Sequence, residues 1–226
     1  MAGEFYSSHF PFCYNHFMIK AVLFDVDGVL IDSFAANLKF YQDLMIKAGY
    51  KPPAKKEFDN LFHRPLIDVI KILTKSNSDK EIQRVFEIGK NRRVKTQLEL
   101  YKMPKGVDKV IKDLSKKYLL GVVTSRIKEY VYEVPKLAQL EKYFKVTIAY
   151  QDTINHKPDP EPILLACQKL NVNSSEAVYV GDVENDITAG KAAGTKTILY
   201  SQANLANADL HTSTFTKLPE LIKSLD

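Results

Sequence analysis

Short apolar runs alternate with amphipathic stretches along most of this chain. The runs IKAVLFD (19–25), LLGVVT (119–124), VYVGD (178–182) and KTILY (196–200), with a weaker VTIAY (146–150), are rich in branched and aromatic side chains. Nearly continuous apolar strands, rather than alternating ones, are those of a parallel sheet covered on both faces. Between them, residues 105–117, 128–140, 160–170 and 184–193 predict helices. The alternation predicts an α/β fold with a doubly wound, Rossmann-like parallel sheet at its core.

Between the first two runs the pattern changes. Residues 34–101 carry no strand signal. Ser33 predicts the cap of a helix whose apolar side is Leu38, Tyr41, Met45 and Ala48, ended by Gly49. Pro65 stands at a favourable first-turn position of a helix in PLIDVIKIL. SDKE, residues 78–81, reads as a capping box pairing Ser78 with Glu81. The reading is an α-helical insertion over 34–101, forming a cap on a core made of 18–33 and 102–226. Its second linker contains Met103, Pro104 and Gly106.

Residues 1–17, MAGEFYSSHFPFCYNHF, are read as an N-terminal tail, with Met18 opening the folded part. The tail lacks the basic start and continuous apolar stretch of a secretory signal. Cys13 with His9 and His16 makes a candidate metal-ligand set, weakened by its place on an unanchored tail.

Composition narrows the class. The chain has 226 residues, 45% hydrophobic and 26% charged, which suits a globular core with a smaller inserted unit. No apolar run reaches the length of about 18 residues that a membrane helix needs, so no membrane partner is expected. Cys13 and Cys167 lie far apart and form no framework, which fits a cytoplasmic protein. The net charge of +5 is uneven, because residues 34–101 hold 14 Lys and Arg against 8 Asp and Glu. That excess is either a solvated helical surface or an attractor of anionic substrate toward a cleft. No nucleic-acid reader pattern accompanies it.

The candidate chemistry falls at the ends of the predicted strands. In open α/β sheets, ligands sit outside the carboxyl ends of the strands. Asp25 and Asp27 follow the first run, Thr124 and Ser125 the second, and Asp182 the third, with Glu184 and Asp186 close behind; Lys157 lies in HKPDPEP before a helix. Three carboxylates ionise together in a tight site only beside a cation. Hard oxygen ligands favour Mg²⁺, which binds through few carboxylates and keeps waters and substrate phosphate. A lysine opposite balances an incoming phosphate. Thr124 offers a hydroxyl, and the loop after it offers backbone N–H groups to phosphate oxygens. One carboxylate beside the metal can attack phosphorus, and a second can protonate the leaving oxygen and then take a proton from water.

DVDGVLIDS, VVTSR, HKPDPEP and GDVENDITAGKAAG, in that order, resemble the four motifs of the haloacid dehalogenase-like hydrolase superfamily. The resemblance spans about residues 18–222, and the insertion and the segment MPKGVDKVIKDLSKKY are similar to those of the phosphoglycolate phosphatase and β-phosphoglucomutase branch. The resemblance implies Asp25 as nucleophile and metal ligand, and Asp27 as general acid/base with its backbone carbonyl on Mg²⁺. It also implies Thr124 and the Ser125 backbone as phosphate binders, Lys157 as support for Asp25 and the phosphoryl group, and Asp182 with Asp186 as the remaining metal site. Glu184 lies outside the usual pattern. The family's dehalogenases lack the second aspartate of the first motif, so Asp27 argues for phosphoryl chemistry.

The expectation is a Mg²⁺-dependent phosphatase acting on a small phosphorylated metabolite, phosphoglycolate among the options. The alternatives are a phosphomutase, a pyrophosphatase or nucleotidase, and a non-catalytic phosphate-binding relative. Lys39, His63, Arg64, Arg92 and Arg93 are candidate substrate contacts from the cap, Arg64 foremost. A monomer or homodimer is expected.

Overall fold

The computed structural model describes residues 18–62, 64–91, 94–203 and 207–226. The candidate residues His9, Cys13, His16, His63, Arg92 and Arg93 lie outside the described residues.

The strands are β1 (Ala21–Phe24), β2 (Leu119–Val123), β3 (Phe144–Ile148), β4 (Ala177–Gly181), β5 (Lys196–Tyr200) and β6 (Leu210–Thr212). They form one sheet in the order β3-β2-β1-β4-β5-β6, parallel throughout. The chain leaves β1 toward β2 on one side and reaches β4 on the other. β1 and β4 therefore flank a switch point, where such sheets open a crevice at their carboxyl edge.

Every residue of β1 and of β4 is buried, as expected of strands covered on both faces. One apolar core, with Phe24, Leu30 and Ile111, lies on one face; a second, with Leu23, Ile163 and Tyr179, lies on the other. The covering helices are α5 (Val107–Leu114), α6 (Pro135–Ala138), α7 (Glu161–Leu170), α8 (Glu184–Ala193) and α9 (Leu218–Lys223), which follow the four helices of the insertion.

The insertion holds α1 (Phe34–Ala48), α2 (Lys55–Asp59), α3 (Leu66–Thr74) and α4 (Asp79–Lys90). It has an apolar core of its own, including Leu44, Met45, Phe58, Ile70 and Val85. Its two ends are clamped side by side: Asp32 N–H donates to the Lys102 carbonyl at 2.7 Å, and Lys102 N–H returns the bond at 3.1 Å. Gly49 closes α1 at φ 89°, a left-handed conformation open to glycine.

Several local expectations change. No continuous helix covers 128–140: a single turn at Lys128–Tyr130 is followed by extended backbone at Val134 and then by α6. Pro135 is the reason, since the residue before a proline is pushed out of the α region. α4 begins at the predicted place, but the Ser78 side chain makes no cap bond there. Glu81 instead accepts from the Tyr50 hydroxyl at 2.7 Å and pairs with Arg84 at 2.7 Å. Ser33 makes no cap bond either. β6 is an addition: LHT has no apolar run, and its place is set by the Asp209 carboxylate, which accepts from Thr197 N–H at 2.8 Å and from its hydroxyl at 2.7 Å.

Candidate active site

The residues that the sequence places at strand ends meet at the carboxyl edge of the sheet, beneath the insertion. Asp25 follows β1, and its N–H donates to the Val180 carbonyl of β4 at 2.9 Å. Thr124 follows β2 in the same way, donating to the Ile148 carbonyl at 2.9 Å. Asp182 follows β4, and Lys157 comes from the loop between β3 and α7. All of them line one cavity of about 420 Å³, together with Ser125, Asp186 and Arg64.

Lys157 is the centre of the arrangement. Its ammonium lies 2.6 Å from Asp186 Oδ1, 3.1 Å from Asp25 Oδ1 and 3.0 Å from the Tyr179 hydroxyl. Burial alone would lower the pKa of this lysine, but the charges of Asp186 and Asp25 outweigh it and hold the ammonium well above its ordinary value. Tyr179 comes from the interior of β4 and donates to the Val123 carbonyl at 3.2 Å, which ties Lys157 to the middle of the sheet. Asp186, from the first turn of α8, accepts from Asp182 N–H at 3.0 Å and so orients the strand-to-helix loop.

Among the described residues, carboxylate oxygens of Asp25, Asp182 and Asp186 lie within 4.8 Å of one another. Burial raises the Asp25 carboxyl to about 7, Lys157 opposing and Asp186 and Asp27 adding to the shift. Burial raises Asp182 to about 9, with Asp186 and Asp25 adding to it. Three crowded carboxylates facing one ammonium carry an excess of negative charge, and an all-oxygen donor set suits a hard divalent cation. The donor chemistry therefore fits a metal ion. Gly28 (φ 80°) packs so closely here that a Cβ would collide with the Asp182 carboxylate.

Asp27 points to a different partner. Arg126 grips it with two parallel bonds, Nε to Oδ2 at 2.7 Å and an Nη to Oδ1 at 2.8 Å. Burial works against its ionisation, yet the charge and hydrogen bonds of Arg126, with help from the Ser33 hydroxyl, hold it below the usual carboxylate range. Arg126 is itself fixed by the Tyr130 carbonyl at 3.0 Å, by Glu133 at 3.6 Å and by the Tyr101 ring, 5.2 Å from centroid to Cζ. Ser33 thus holds the N-cap position of α1, as expected, while its hydroxyl serves the site and not the helix end.

The sequence reading brought together Asp25, Asp27, Thr124, Ser125, Lys157, Asp182 and Asp186, and all seven line the cavity. Arg64 lines it and is exposed. Lys39 does not belong to the lining; it pairs with Asp43 along α1 at 2.5 Å. The reading missed Arg126 and Tyr179. Arg126 ends the stretch VVTSR, where a single charge after a strand carries no periodic signal. Tyr179 sits in a continuous apolar run, where its hydroxyl is indistinguishable from core.

A Rossmann-like sheet with a carboxylate and lysine cluster at its switch point, under a helical insertion, is the architecture of a phosphohydrolase. The chain belongs to the haloacid dehalogenase-like hydrolase family, whose sequence profile matches residues 22–200. It is 34% identical over 221 residues to a protein of Clostridium perfringens (strain 13 / Type A), named as a candidate pyrophosphatase PpaX, covering 92% of this chain and 100% of that one. Among solved structures, a candidate phosphoglycolate phosphatase from Lactobacillus plantarum superposes with a TM-score of 0.80 at 22% identity, covering 90% of this chain and 99% of that one. β-Phosphoglucomutase from Clostridium difficile superposes with a TM-score of 0.77 at 22% identity, covering 92% and 97%. At that identity the two structures speak for the fold alone. Among the described residues no helix is long and apolar enough to cross a membrane.

Proposed function

We propose that this phosphohydrolase depends on Mg²⁺ and transfers phosphate through a phosphoryl-aspartate on Asp25. The observation that carries the reading is the place of Asp25: at the end of β1, open to the cavity, 3.1 Å from the Lys157 ammonium and grouped with Asp182 and Asp186. Asp25, Asp182, Asp186 and the Asp27 carbonyl would hold the ion. Bound there, Mg²⁺ supplies neutralisation of the crowded carboxylates and of the phosphoryl oxygens.

The chain's own residues then divide the work. Lys157 and the Thr124 hydroxyl, with the N–H groups after it, position the phosphoryl oxygens. An Asp25 oxygen attacks phosphorus as the bond to the leaving oxygen breaks, and Asp27 gives that oxygen its proton. Water then attacks the phosphoryl-aspartate, Asp27 takes its proton, and orthophosphate and free Asp25 result. The grip of Arg126 favours the ionised, proton-accepting form of Asp27. Proton donation in the first half therefore needs that grip to loosen.

The relationship to PpaX-type proteins over nearly the whole chain supports pyrophosphate as substrate ahead of phosphoglycolate. Phosphate release from pyrophosphate, phosphoglycolate, hexose phosphates and nucleotides, with Mg²⁺ and then with chelator, tests this. Metal-dependent release led by pyrophosphate is expected. Metal-independent release, or preference for phosphoglycolate, would overturn the metal or the substrate assignment respectively.

A further inference from the structure

The cavity is divided by chemistry. Its floor, at the sheet edge, is charged and polar, with Asp25, Thr124, Ser125 and Lys157. Its roof, from the helical insertion, is largely apolar, with Phe40, Phe62, Leu66, Ile67, Phe86 and Val94 beside the polar Asn37, Tyr41 and Thr96. Four of these six apolar residues (Phe40, Phe62, Leu66 and Phe86) pack against the insertion's own core yet are only half-buried, and Ile67 is 38% exposed, so part of their apolar surface is left over for the cavity.

Among the described residues, the basic excess of the insertion does not line this roof. Among its described residues, Arg64 and Lys90 are the cations on the cavity wall, and both are exposed. Lys39 is paired with Asp43, and Arg84 with Glu81. Phenylalanine and leucine offer a phosphate no hydrogen bond, so a substrate as small as pyrophosphate, held at the floor, leaves the roof unused. The volume of about 420 Å³ also falls within the range of about 300–1,000 Å³ typical of pockets for larger organic ligands. Space is kept at the roof by Gly89, where a Cβ would lie 3.2 Å from the Phe40 ring.

We infer that the same site also hydrolyses phosphate monoesters whose alcohol carries an apolar alkyl or aryl body, the phosphate held by the sheet edge and the body by the insertion. This activity rests on the phosphohydrolase reading above and adds a substrate class to it. The phosphorus–oxygen bond to the alcohol breaks as the bond to Asp25 forms, the alcohol leaves with one proton, and water releases orthophosphate.

The test compares ethyl phosphate with n-hexyl phosphate, whose leaving alcohols are chemically alike and differ in apolar length. The full chain is assayed with Mg²⁺, with pyrophosphate and Asp25→Asn in parallel. Hexyl phosphate is expected to exceed ethyl phosphate in kcat/KM by at least about tenfold. That ratio is expected to fall several-fold in Phe86→Ser and in Ile67→Ser, the latter at an exposed position that leaves the fold intact. A ratio near one, with Asp25-dependent release from pyrophosphate, would overturn the apolar-body assignment alone. A high ratio that neither variant lowers would overturn the assignment of the roof. No Asp25-dependent release from any compound would overturn the phosphohydrolase reading, and this inference with it.

Discussion

Arg126 holds Asp27 through two parallel hydrogen bonds of 2.7 and 2.8 Å, while Asp25, two residues earlier, faces Lys157. Two like charges with one residue between them thus each have a cation. Regular extended backbone would put residues i and i+2 on one face; the chain instead bends at Val26, beyond the end of β1, and the two carboxylates meet different cations. Asp25 is left high, at about 7, and Asp27 is held low. Neighbouring carboxyls with environments that push them apart are suited to different tasks.

Replacing Arg126 by Met removes one member of a mostly buried pair. The expected loss is about 2–4 kcal/mol in urea unfolding at neutral pH, because Asp27 keeps its charge without its partner. A carboxyl whose folded pKa is depressed stabilises the fold above its unfolded value and loses that contribution as pH falls through the folded value. The gap between wild type and Arg126→Met is therefore expected to narrow between about pH 5 and about pH 3. A gap that widens toward acid would contradict the pairing.

Lys157→Met leaves Asp25 and Asp186 facing each other without the ammonium. In chelator, the variant is expected to lose about 3–5 kcal/mol, as for other buried pairs broken on one side. Added Mg²⁺ is expected to recover part of that loss. Unfolding curves with and without the ion check this, and a variant as stable as wild type in chelator would refute the central place of Lys157.

How much of this was legible beforehand varies with the kind of residue. The sheet, its parallel direction and the helical insertion followed from apolar periodicity, because β1 and β4 are buried throughout and β2 is buried from Leu120 onward. The strand-end position of Asp25, Thr124 and Asp182 followed from the same pattern, and that of Lys157 from its place ahead of a helix. What escaped was set by tertiary contact. Arg126 is defined by a carboxylate 99 positions away, and Tyr179 by a lysine 22 positions away. Neither distance leaves a local trace. Ser33 and Ser78 carry cap-like spacing, yet a buried carboxylate claims the first and Glu81 turns away from the second. β6 rests on Asp209 rather than on an apolar run.

If Asp25, Asp182 and Asp186 hold Mg²⁺, the ion binds the folded chain and raises its midpoint of thermal unfolding with concentration. Wild type is expected to gain several degrees at a Mg²⁺ concentration about a hundredfold above its dissociation constant. Asp182→Asn is expected to lose most of that gain while folding normally without the ion, since the substitution relieves a carboxyl that burial and its neighbours raise to about 9. An equal Mg²⁺ response in both proteins would place the ion elsewhere.

The most direct test of the mechanism is acid quench during turnover with Mg²⁺ and pyrophosphate, followed by peptide mass spectrometry. The peptide AVLFDVDGVLIDS and its flanks are expected to carry one phosphoryl group on Asp25, absent from Asp25→Asn, which also loses turnover by at least about a thousandfold. Turnover that persists in Asp25→Asn, or a phosphoryl group on another residue, would contradict Asp25 as the nucleophile.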